Sequence, residues 1–479
     1  MLKSVASAVR RSPIVAGALS FVLPGLGQVW LGQVLRGMLL VAPLVLLAVG
    51  TGLVLATQGV YRSLGLLLQP PVLVSLLLLN AVIVVVRLFA ILDAYLLAER
   101  GGTRRGTRGA RQWIATVVLA ALLLATLGEH AALGYVGYQT YDTVTTVFAP
   151  PSTPQPSPTP AAPSGTPRPL WTFPPTPSPT PVPTWDSDGR LDLLLIGADS
   201  GPGRWSLRTD SLTLLSVDIA SGKAALFSIP RNLRRVPLPR RSVNAFECGC
   251  FPGLINAIYR YAEDHPEWFI GEDGERGLRA LEDSVSAMTR LDLDGYFLVT
   301  LNGFVRLVDA MGGVDIYVDE ALHDAEYPLE DGSHTVEINI DVGWHHFDGH
   351  WALVYSRTRH QDSDYGRMWR QERMLVALRR SMNPCQVIGR VPELLKIAKD
   401  SLSTDLPISA LPELLDLAAR VKASSIARYQ FWPPDVPEYL NKAGLKVIRA
   451  MVLDPFGVEP TPDPSATPAA PTPTARPGC

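Results

Sequence analysis

The sequence has no excess of positive charge. Its 43 lysines and arginines stand against 45 aspartates and glutamates, which gives a formal net charge of -2 over 479 residues. A protein that binds nucleic acid normally carries a concentrated basic surplus. The charge balance therefore predicts no nucleic-acid partner.

Cysteine is scarce, with four residues at Cys248, Cys250, Cys385 and Cys479. One residue separates Cys248 from Cys250, which is closer than the spacing of a zinc knuckle, and no second pair matches it. Outside the cytoplasm, a disulfide from Cys248 or Cys250 to Cys385 is one expectation. Free buried thiols are the alternative.

The short motifs of zinc peptidases and P-loop proteins are also missing. No HExxH sequence accompanies His345, His346 and His350, and no GxxxxGK[ST] sequence follows Gly201-Pro202-Gly203. We expect polar loop histidines at the first place and a simple turn at the second.

Long apolar runs are concentrated near the N-terminus. Gly37–Thr57, Val72–Ala98 and Trp113–Leu133 are each long enough to cross a bilayer, which takes about 20 apolar residues. Ile14–Trp30, interrupted at Pro24-Gly25, is expected to be interfacial or re-entrant. Arginines between the second and third runs indicate a cytoplasmic loop. Residues 1–140 are thus predicted to hold about three transmembrane helices of a multi-pass cell-membrane protein whose C-terminal domain is extracytoplasmic.

Proline is abundant, with 42 residues in the chain, and unevenly placed. The stretch from Pro150 to Pro183 is mixed with serine and threonine, so it cannot bury a core and favours extended polyproline II. We interpret residues 141–187 as a Pro/Ser/Thr-rich extracellular stalk. Residues 456–479 have the same composition and are interpreted as a disordered tail.

Between these segments, residues 188–382 alternate apolar runs with helix-like segments. The predicted strands are Leu191–Ile196, Leu212–Val217, Ala224–Ile229, Tyr296–Val299 and Val314–Val318. The predicted helices are Leu254–Glu263, Glu275–Arg290, Gly303–Met311, Asp348–Arg357 and Gly366–Arg380. Apolar strands flanked by helices indicate an α/β fold, a three-layer αβα sandwich. Residues 383–455 are predicted to add a helical C-terminal extension.

Charged residues follow the predicted strands and flank the later helices. They are Asp199, Arg208, Asp210, Arg231, Arg357, Arg359 and Arg367. Ligands of α/β sheets bind at strand ends and helix starts. Carboxylates suit Mg²⁺, and guanidinium groups bind phosphate oxygens in pairs. The combination predicts a site for a pyrophosphate-bearing substrate.

Seven motifs in succession carry a resemblance to a known family. They are GADS, RTDSLTLLSVD, LFSIPRN, LINAIYRYA, LVTLNGFVRLVDAMGGVDIYV, GHWALVYSRTR and DYGRMWRQERML. Over about Leu191–Met382 this order resembles the LytR-CpsA-Psr family, whose members attach glycopolymers to peptidoglycan. The resemblance implies a Mg²⁺-dependent transferase that uses a polyprenyl-pyrophosphate-linked donor, forms a phosphodiester with a cell-wall acceptor, and acts outside the cytoplasm behind a membrane anchor.

The resemblance also implies roles for individual residues. Asp199 and Asp210 match the family's metal-binding acids and, with Arg208 and Arg231, form the expected catalytic set. The expected pyrophosphate-binding residues are Arg208, Arg231, Arg357, Arg359, Arg367 and Gln371. Asp199 and Asp210 are both candidates for the general base.

Three positions depart from the family pattern. Gly201 stands where an arginine is usual, and Arg204 is its candidate replacement. Asn232 replaces an acid, and Leu254 replaces a lysine. The change at Leu254 puts one phosphate contact in doubt and leaves the rest of the set intact.

The donor's prenyl chain requires an apolar groove. The candidate lining residues are Phe304, Val305, Leu307 and Val308 on one helix and Met374, Leu375 and Leu378 on another. Two other functions stay open on sequence alone. One is hydrolysis of a polyprenyl-pyrophosphate lipid, with water as acceptor, and the other is a non-catalytic tether or regulator of the cell envelope.

Overall fold

The computed structural model describes residues 12–100, 109–148, 188–199, 208–328, 334–358, 364–381 and 390–456. The chain divides into two compact units, residues 1–145 with Leu411–Asp416 and residues 146–410 with 417–479. Most of the predicted stalk and nearly all of the predicted tail lie outside the described residues. At the start of that stalk, the last helix of the N-terminal unit continues as far as Val147.

The N-terminal unit is helical. Its helices are α1 (Pro13–Val22), α2 (Leu26–Trp30), α3 (Val34–Gln58), α4 (Val60–Leu67), α5 (Pro70–Arg100) and α6 (Gly109–Val147). Among the described residues, three helices are long and apolar enough to cross a membrane, namely α3, α5 and the Trp113–Val147 part of α6. They coincide with the three predicted spans.

The turn between α1 and α3 depends on glycine. Gly25 has a φ of 95°, and a Cβ there would lie 2.2 Å from the carbonyl oxygen of Gly37. A Cβ at Gly27 would lie 2.1 Å from the carbonyl oxygen of Ala16. Gln28, fully buried, donates a hydrogen bond to the carbonyl oxygen of Ala90 at 2.9 Å. The α1–α2 segment therefore folds back against α5.

From Arg190 onward, strands and helices alternate. In chain order they are β1 (Arg190–Asp199), β2 (Arg208–Asp218), β3 (Ala224–Ile229), β4 (Arg234–Pro237), β5 (Cys250–Leu254), α7 (Ile258–Asp264), α8 (Arg276–Thr289), β6 (Gly295–Thr300), α9 (Leu301–Ala310), β7 (Val314–Val318), β8 (Leu322–Pro328), β9 (Thr335–Ile340), β10 (Gly343–Phe347), α10 (Gly349–Arg357), α11 (Asp364–Ser381), α12 (Val391–Ser401), β11 (Leu402–Thr404), α13 (Leu411–Arg420), β12 (Ile426–Gln430) and α14 (Lys442–Leu453).

Six of the described strands form the central sheet, in the order β11-β6-β1-β2-β3-β12. β1 runs parallel to β6 and antiparallel to β2, and β3 runs parallel to β12. The first four predicted strands lie in this sheet. The fifth, β7, pairs with β10 in a separate two-stranded sheet.

Helices cover both faces of the sheet. Side chains alternate along a strand, so Leu194 and Leu195 of β1 face opposite ways. Leu194 is fully buried in a core that includes Phe227 of β3 and Leu281 of α8. On the other face, Leu195 and Phe297 border a cavity beneath α9 and α11. The predicted three-layer αβα arrangement is confirmed.

The segment predicted as a helical extension, residues 383–455, supplies strands as well as helices. β11 and β12 are the two edge strands of the central sheet, among the helices α12, α13 and α14. Strands of 3 and 5 residues are too short to show a clear twofold alternation of apolar residues. The purely helical interpretation of this segment is therefore corrected.

The cysteine pairing also differs from the expectation. Cys248 and Cys250 form a disulfide with each other, and their Cα atoms are 5.1 Å apart. Gly249 between them has a φ of 61°, a left-handed conformation that glycine adopts easily, and it turns the chain back on itself. The proposed partner Cys385 lies outside the described residues.

A half-buried acid on α8, Glu282, predicts pH-dependent stability. Burial and the nearby carboxylates of Asp405 and Asp283 raise the pKa of Glu282 from 4.5 to about 8. Between these values the folded protein holds a proton that the unfolded chain has released. The free energy of unfolding should therefore fall as pH rises through this window, by up to about 1.4 kcal/mol per pH unit. Glu282→Gln should remove most of the fall in melting temperature between pH 5 and pH 8, and an unchanged slope would contradict this account.

Candidate active site

The polar site begins where β1 ends and β2 starts. Asp199 and Arg208 are Cα partners on these antiparallel strands, beside an irregularity at Gly197/Ala198. The backbone thus brings two predicted site residues to one strand end. Their side chains lie outside the described part of the chain. Asp210, two residues farther along β2, lines the cavity.

Two carboxylates and two guanidinium groups form a connected cluster. Arg231 lies in the turn after β3, and its Nη1 contacts Oδ1 of Asp210 at 3.0 Å. Its Nε contacts Oδ1 of Asp364 at 3.2 Å, and Nη2 of Arg367 contacts the same oxygen at 2.8 Å. Ion pairs on both sides fix the Arg231 guanidinium before any ligand arrives, and this preorganisation favours tight binding of an anion.

This cluster borders a cavity of about 1090 Å³ on the α9–α11 side of the sheet. The predicted site residues that line it are Asp210, Arg231, Arg357, Arg367 and Gln371. Arg359 lies outside the described residues. Five separately predicted residues therefore converge on one cavity.

Two of the predicted residues are positioned by the ends of helices. Arg357 is the last residue of α10, and its guanidinium carbon lies 6.0 Å from the centre of the Tyr327 ring. Gln371 donates from Nε2 to the carbonyl oxygen of Ser356 at 3.3 Å. Arg367 and Gln371 are four residues apart on α11 and so share one helix face.

Buried polar contacts hold α11 in place. Glu372 is fully buried, and its Oε1 accepts a hydrogen bond from Oγ of Ser228 on β3 at 2.5 Å. Gln430 on β12 donates to its other oxygen at 3.5 Å. Arg370 donates from Nε to the carbonyl oxygen of Tyr355 at 2.9 Å. These bonds tie α11 to the sheet and to α10, which sets where Arg367 and Gln371 face the cavity.

The cavity wall carries both acidic and basic side chains, so it can bind an anion together with a cation. Asp210, Asp324 and Asp364 stand beside Arg231, Arg357 and Arg367 in its lining. Guanidinium forks bind phosphate oxygens, and carboxylate oxygens bind hard cations. Because both kinds of group line one wall, a metal-bound pyrophosphate fits the site chemically.

The carboxylates present are compatible with Mg²⁺. This ion usually takes one or two protein carboxylates together with substrate phosphates and water. The Asp210 side chain keeps 23% of its surface exposed. Within the described residues, Oδ2 of Asp364 is buried and has no hydrogen-bond partner. Asp210 and Asp364 therefore have oxygens to offer, and no cluster of three or more acidic, histidine or cysteine ligands occurs in the described ranges.

Asp364 is a residue of the charged cluster that the sequence interpretation did not assign. It joins Arg231 to Arg367 and starts α11. The available signal was its place in the DYGR motif, where an acid in the first helical turn reads equally well as a helix-stabilising charge. Only the fold shows that it meets Arg231, which is 133 residues earlier in the numbering.

The three histidines lie in regular elements and not in a loop as expected, with His345 and His346 on β10 and His350 on α10. His346 contacts Oδ1 of Asp315 through Nδ1 at 2.6 Å, and both lie on the two-stranded sheet of β7 and β10. His345 contacts the carbonyl oxygen of Asp341. The side chains are thus engaged with their own sheet and loop.

The inner part of the cavity is apolar. Of the residues proposed for a prenyl groove, Phe304, Leu307, Met374, Leu375 and Leu378 line the cavity. Val308 lies in a second hydrophobic core, among α9, α10 and α11, and Met374 and Leu378 are also buried in this core. Leu254, which replaces the usual lysine, also borders the cavity.

Comparison with known proteins gives several matches. A 26% identical relative over 250 residues is biofilm regulatory protein A of Streptococcus mutans serotype c, with 50% of this chain and 56% of the relative covered. A 27% identical relative is the polyisoprenyl-teichoic acid–peptidoglycan teichoic acid transferase TagU of Halalkalibacterium halodurans, with 47% of this chain and 64% of that protein covered. The chain thus spans less than two thirds of the length of these relatives.

A solved structure and a family model also match this chain. The crystal structure of TagV from B. subtilis aligns with a TM-score of 0.41 and 22% identity, over 57% of this chain and 98% of that one. The model of the LytR_cpsA_psr family matches residues 175–435, more than half of the chain. This stretch contains the sheet, the Arg231 cluster and the cavity, and it makes the protein a member of the LytR_cpsA_psr family.

Proposed function

We propose that this protein transfers a glycopolymer from a polyprenyl-pyrophosphate-linked donor to peptidoglycan or another cell-wall acceptor. The observation that carries the proposal is the junction of a charged cluster with an apolar cavity. The Asp210–Arg231–Asp364–Arg367 cluster suits a pyrophosphate, and the wall with Phe304 suits a prenyl chain. The activity in the name of TagU, a relative, supports the same class of reaction.

The proposed reaction exchanges one phosphorus–oxygen bond for another. An acceptor sugar hydroxyl bonds to the phosphorus next to the polymer's first sugar, and the bond from that phosphorus to the bridging oxygen breaks. Polyprenyl phosphate leaves with the electron pair. The hydroxyl proton passes to a carboxylate, for which Asp199 and Asp210 are both candidates.

The arginines stabilise the charge that develops in this step. Arg231 and Arg367 are held by Asp364 and need little reorganisation when the substrate binds. Donors fixed before the reaction stabilise a transition state better than mobile ones. Asp199, Asp210 and Asp364 are the proposed ligands of Mg²⁺, which when bound would neutralise phosphate oxygens.

The proposed location is the cell membrane, with several membrane passes and the α/β unit on the outer side. Support comes from the three apolar helices near the N-terminus. Further support is the arginine-rich segment between α5 and α6, since such loops stay on the cytoplasmic side. A lipid-linked donor would then reach the site from the outer leaflet.

The prenyl-chain assignment predicts a length-dependent effect of Leu375→Asn. Leu375 lines the cavity and is partly buried. A polar amide there lacks hydrogen-bond partners once a prenyl chain covers it, at a cost of about 1–3 kcal/mol. The KM for a long-chain donor should rise about tenfold, while the KM for a donor with a methyl group in place of the prenyl chain stays within about twofold because nothing then covers Leu375. Equal changes for both donors would contradict the assignment.

The function itself is tested with the full chain in detergent micelles, given Mg²⁺, a donor with a labelled sugar, and a muropeptide acceptor. Label on the muropeptide supports the proposed transfer. Release of sugar phosphate at the same rate without acceptor would replace the proposal with hydrolysis. Tight donor binding without turnover would replace it with a tether.

A further inference from the structure

Outside the cavity, two adjacent arginines converge on one exposed tyrosine. The guanidinium carbons of Arg234 and Arg235 lie 5.5 and 5.9 Å from the centre of the Tyr439 ring. Tyr439 is 55% exposed. These three residues are called the Arg–Tyr platform below. Neighbouring side chains on a regular strand point to opposite faces, so their convergence requires an irregular backbone.

The irregularity is present in β4. Its pairing with β5 shifts register between Arg234 and Val236. Arg235 has a φ of 59°, in the left-handed region that a residue with a side chain seldom adopts. Backbone strain of this kind is concentrated at functional sites. The bulge turns Arg235 so that its guanidinium joins that of Arg234 over the ring.

The chain segment that carries the two arginines is basic. Residues 231–241 contain five arginines and no acidic residue. Arg240 and Arg241 are both exposed. Glu438 is the nearby counter-charge of Arg234, and its Oε1 lies 4.0 Å from Nε of Arg234. The platform therefore offers positive charge to a ligand in solution.

The platform adjoins the cavity. Arg234 pairs across the strands with Leu254, which lines the cavity. Arg231 of the charged cluster precedes Arg234 by three residues, so their Cα atoms are at most about 11 Å apart. A chain attached to a pyrophosphate at Arg231 would reach the platform within its first few units.

We propose that the Arg–Tyr platform is a second anion-binding site, separate from the pyrophosphate cluster, that binds phosphate groups on the repeating units of the donor's glycopolymer. The inference rests on the proposed function, since it places the donor's pyrophosphate at Arg231. Guanidinium forks match phosphate geometry, and a guanidinium stacked on a ring keeps its edge N–H groups for a ligand. Two such groups on one ring form a fixed pair of donors.

Isothermal titration tests the platform with the full chain in detergent micelles. The probes are a lipid-free glycerol-phosphate oligomer, a neutral chito-oligosaccharide and a muropeptide. Arg234→Gln/Arg235→Gln should weaken binding of the phosphate oligomer about tenfold. The control pair Arg260→Gln/Arg306→Gln should change it less than about twofold, because these two arginines are paired with Asp264 and Asp400.

The variant Arg235→Gly removes the guanidinium but allows the same positive φ. It therefore separates the effect of the side chain from that of the backbone conformation. Glycine adopts a positive φ without strain, so β4 should keep its bulge and the melting temperature should not fall. Binding should still weaken as in Arg235→Gln. Wild-type affinity in both the Arg235→Gly and the Arg235→Gln single variants, or loss of muropeptide binding with the phosphate oligomer unaffected, would overturn the proposal.

Transfer assays separate this inference from the proposed function. If the wild type transfers polymer, and the double variant slows transfer of a phosphate-bearing donor more than that of a neutral donor, both stand. Equal slowing of both donors would overturn the platform alone. Oligomer binding at the platform in a chain that transfers nothing would overturn the function and leave an anion-binding surface.

Discussion

Replacing Arg231 by alanine is expected to lower the rate of glycopolymer transfer by about 10³-fold. Arg231 contacts Asp210 on one side and Asp364 on the other. Its removal takes away a fixed phosphate donor and leaves Asp210 facing the anion without this ion-pair partner, while Asp364 keeps its contact with Arg367. The effect should appear mainly in kcat, measured by single-turnover formation of the muropeptide product.

Two further variants show whether the loss of rate is due to the guanidinium group of Arg231. Arg231→Lys keeps the charge but cannot contact both carboxylates through separate nitrogens, so an intermediate loss is expected. Arg260→Ala removes an exposed arginine from α7, paired with Asp264, and should leave the rate unchanged. A rate for Arg231→Ala within tenfold of the wild type would exclude Arg231 from the reaction.

Replacing Glu372 by alanine is expected to destabilise the α/β unit by about 3 kcal/mol. Glu372 is fully buried, and Ser228 and Gln430 donate to it. Without the carboxylate, these buried groups lose their acceptor. The melting temperature should fall by about 6–12 °C, as measured by calorimetry on the full chain in detergent.

The same substitution should also disturb the site. Glu372 follows Gln371 on α11, so a loosened helix displaces Gln371 and Arg367 and raises the KM for donor. Glu267→Ala is the matched control, because Glu267 is exposed and surface changes cost less than about 0.5 kcal/mol. A Glu372→Ala protein as stable as that control would contradict the role given to the buried bonds.

The central strands are predictable because they are buried on both faces. Leu191–Ile196 and Ala224–Ile229 are nearly continuous apolar runs, and such runs rarely occur in exposed strands. The observed strands β1 and β3 contain them. β11 gave no comparable signal, since three residues at a sheet edge carry no recognisable period.

The site is predictable to the extent that its residues follow strands and helices of known order. Asp210, Arg231 and Arg367 were placed at such ends, and they meet through direct contacts or through Asp364. The bridging by Asp364 was not predictable, because it depends on how the turn after β3 meets the start of α11. Contacts between distant segments are set by packing, which a local pattern does not encode.

Two local backbone features also could not be predicted from the sequence. The Cys248–Cys250 disulfide needs the positive φ of Gly249, and neighbouring cysteines give no sign of whether the chain turns there. The bulge at Arg235 likewise places a residue with a long side chain in a conformation that glycine favours. Sequence-based rules assign each residue its most common backbone conformation. They therefore miss sites that depend on a rare backbone conformation.

The most direct test of the account is the mass of the product. The full chain in detergent would receive Mg²⁺, a polyprenyl-pyrophosphoryl oligosaccharide and a muropeptide, beside Arg231→Ala and Arg260→Ala. The account predicts a phosphodiester-linked oligosaccharide–muropeptide and free polyprenyl phosphate, with product lost in the first variant and retained in the second. Free oligosaccharide phosphate with unmodified muropeptide, or adduct formed equally by Arg231→Ala, would contradict it.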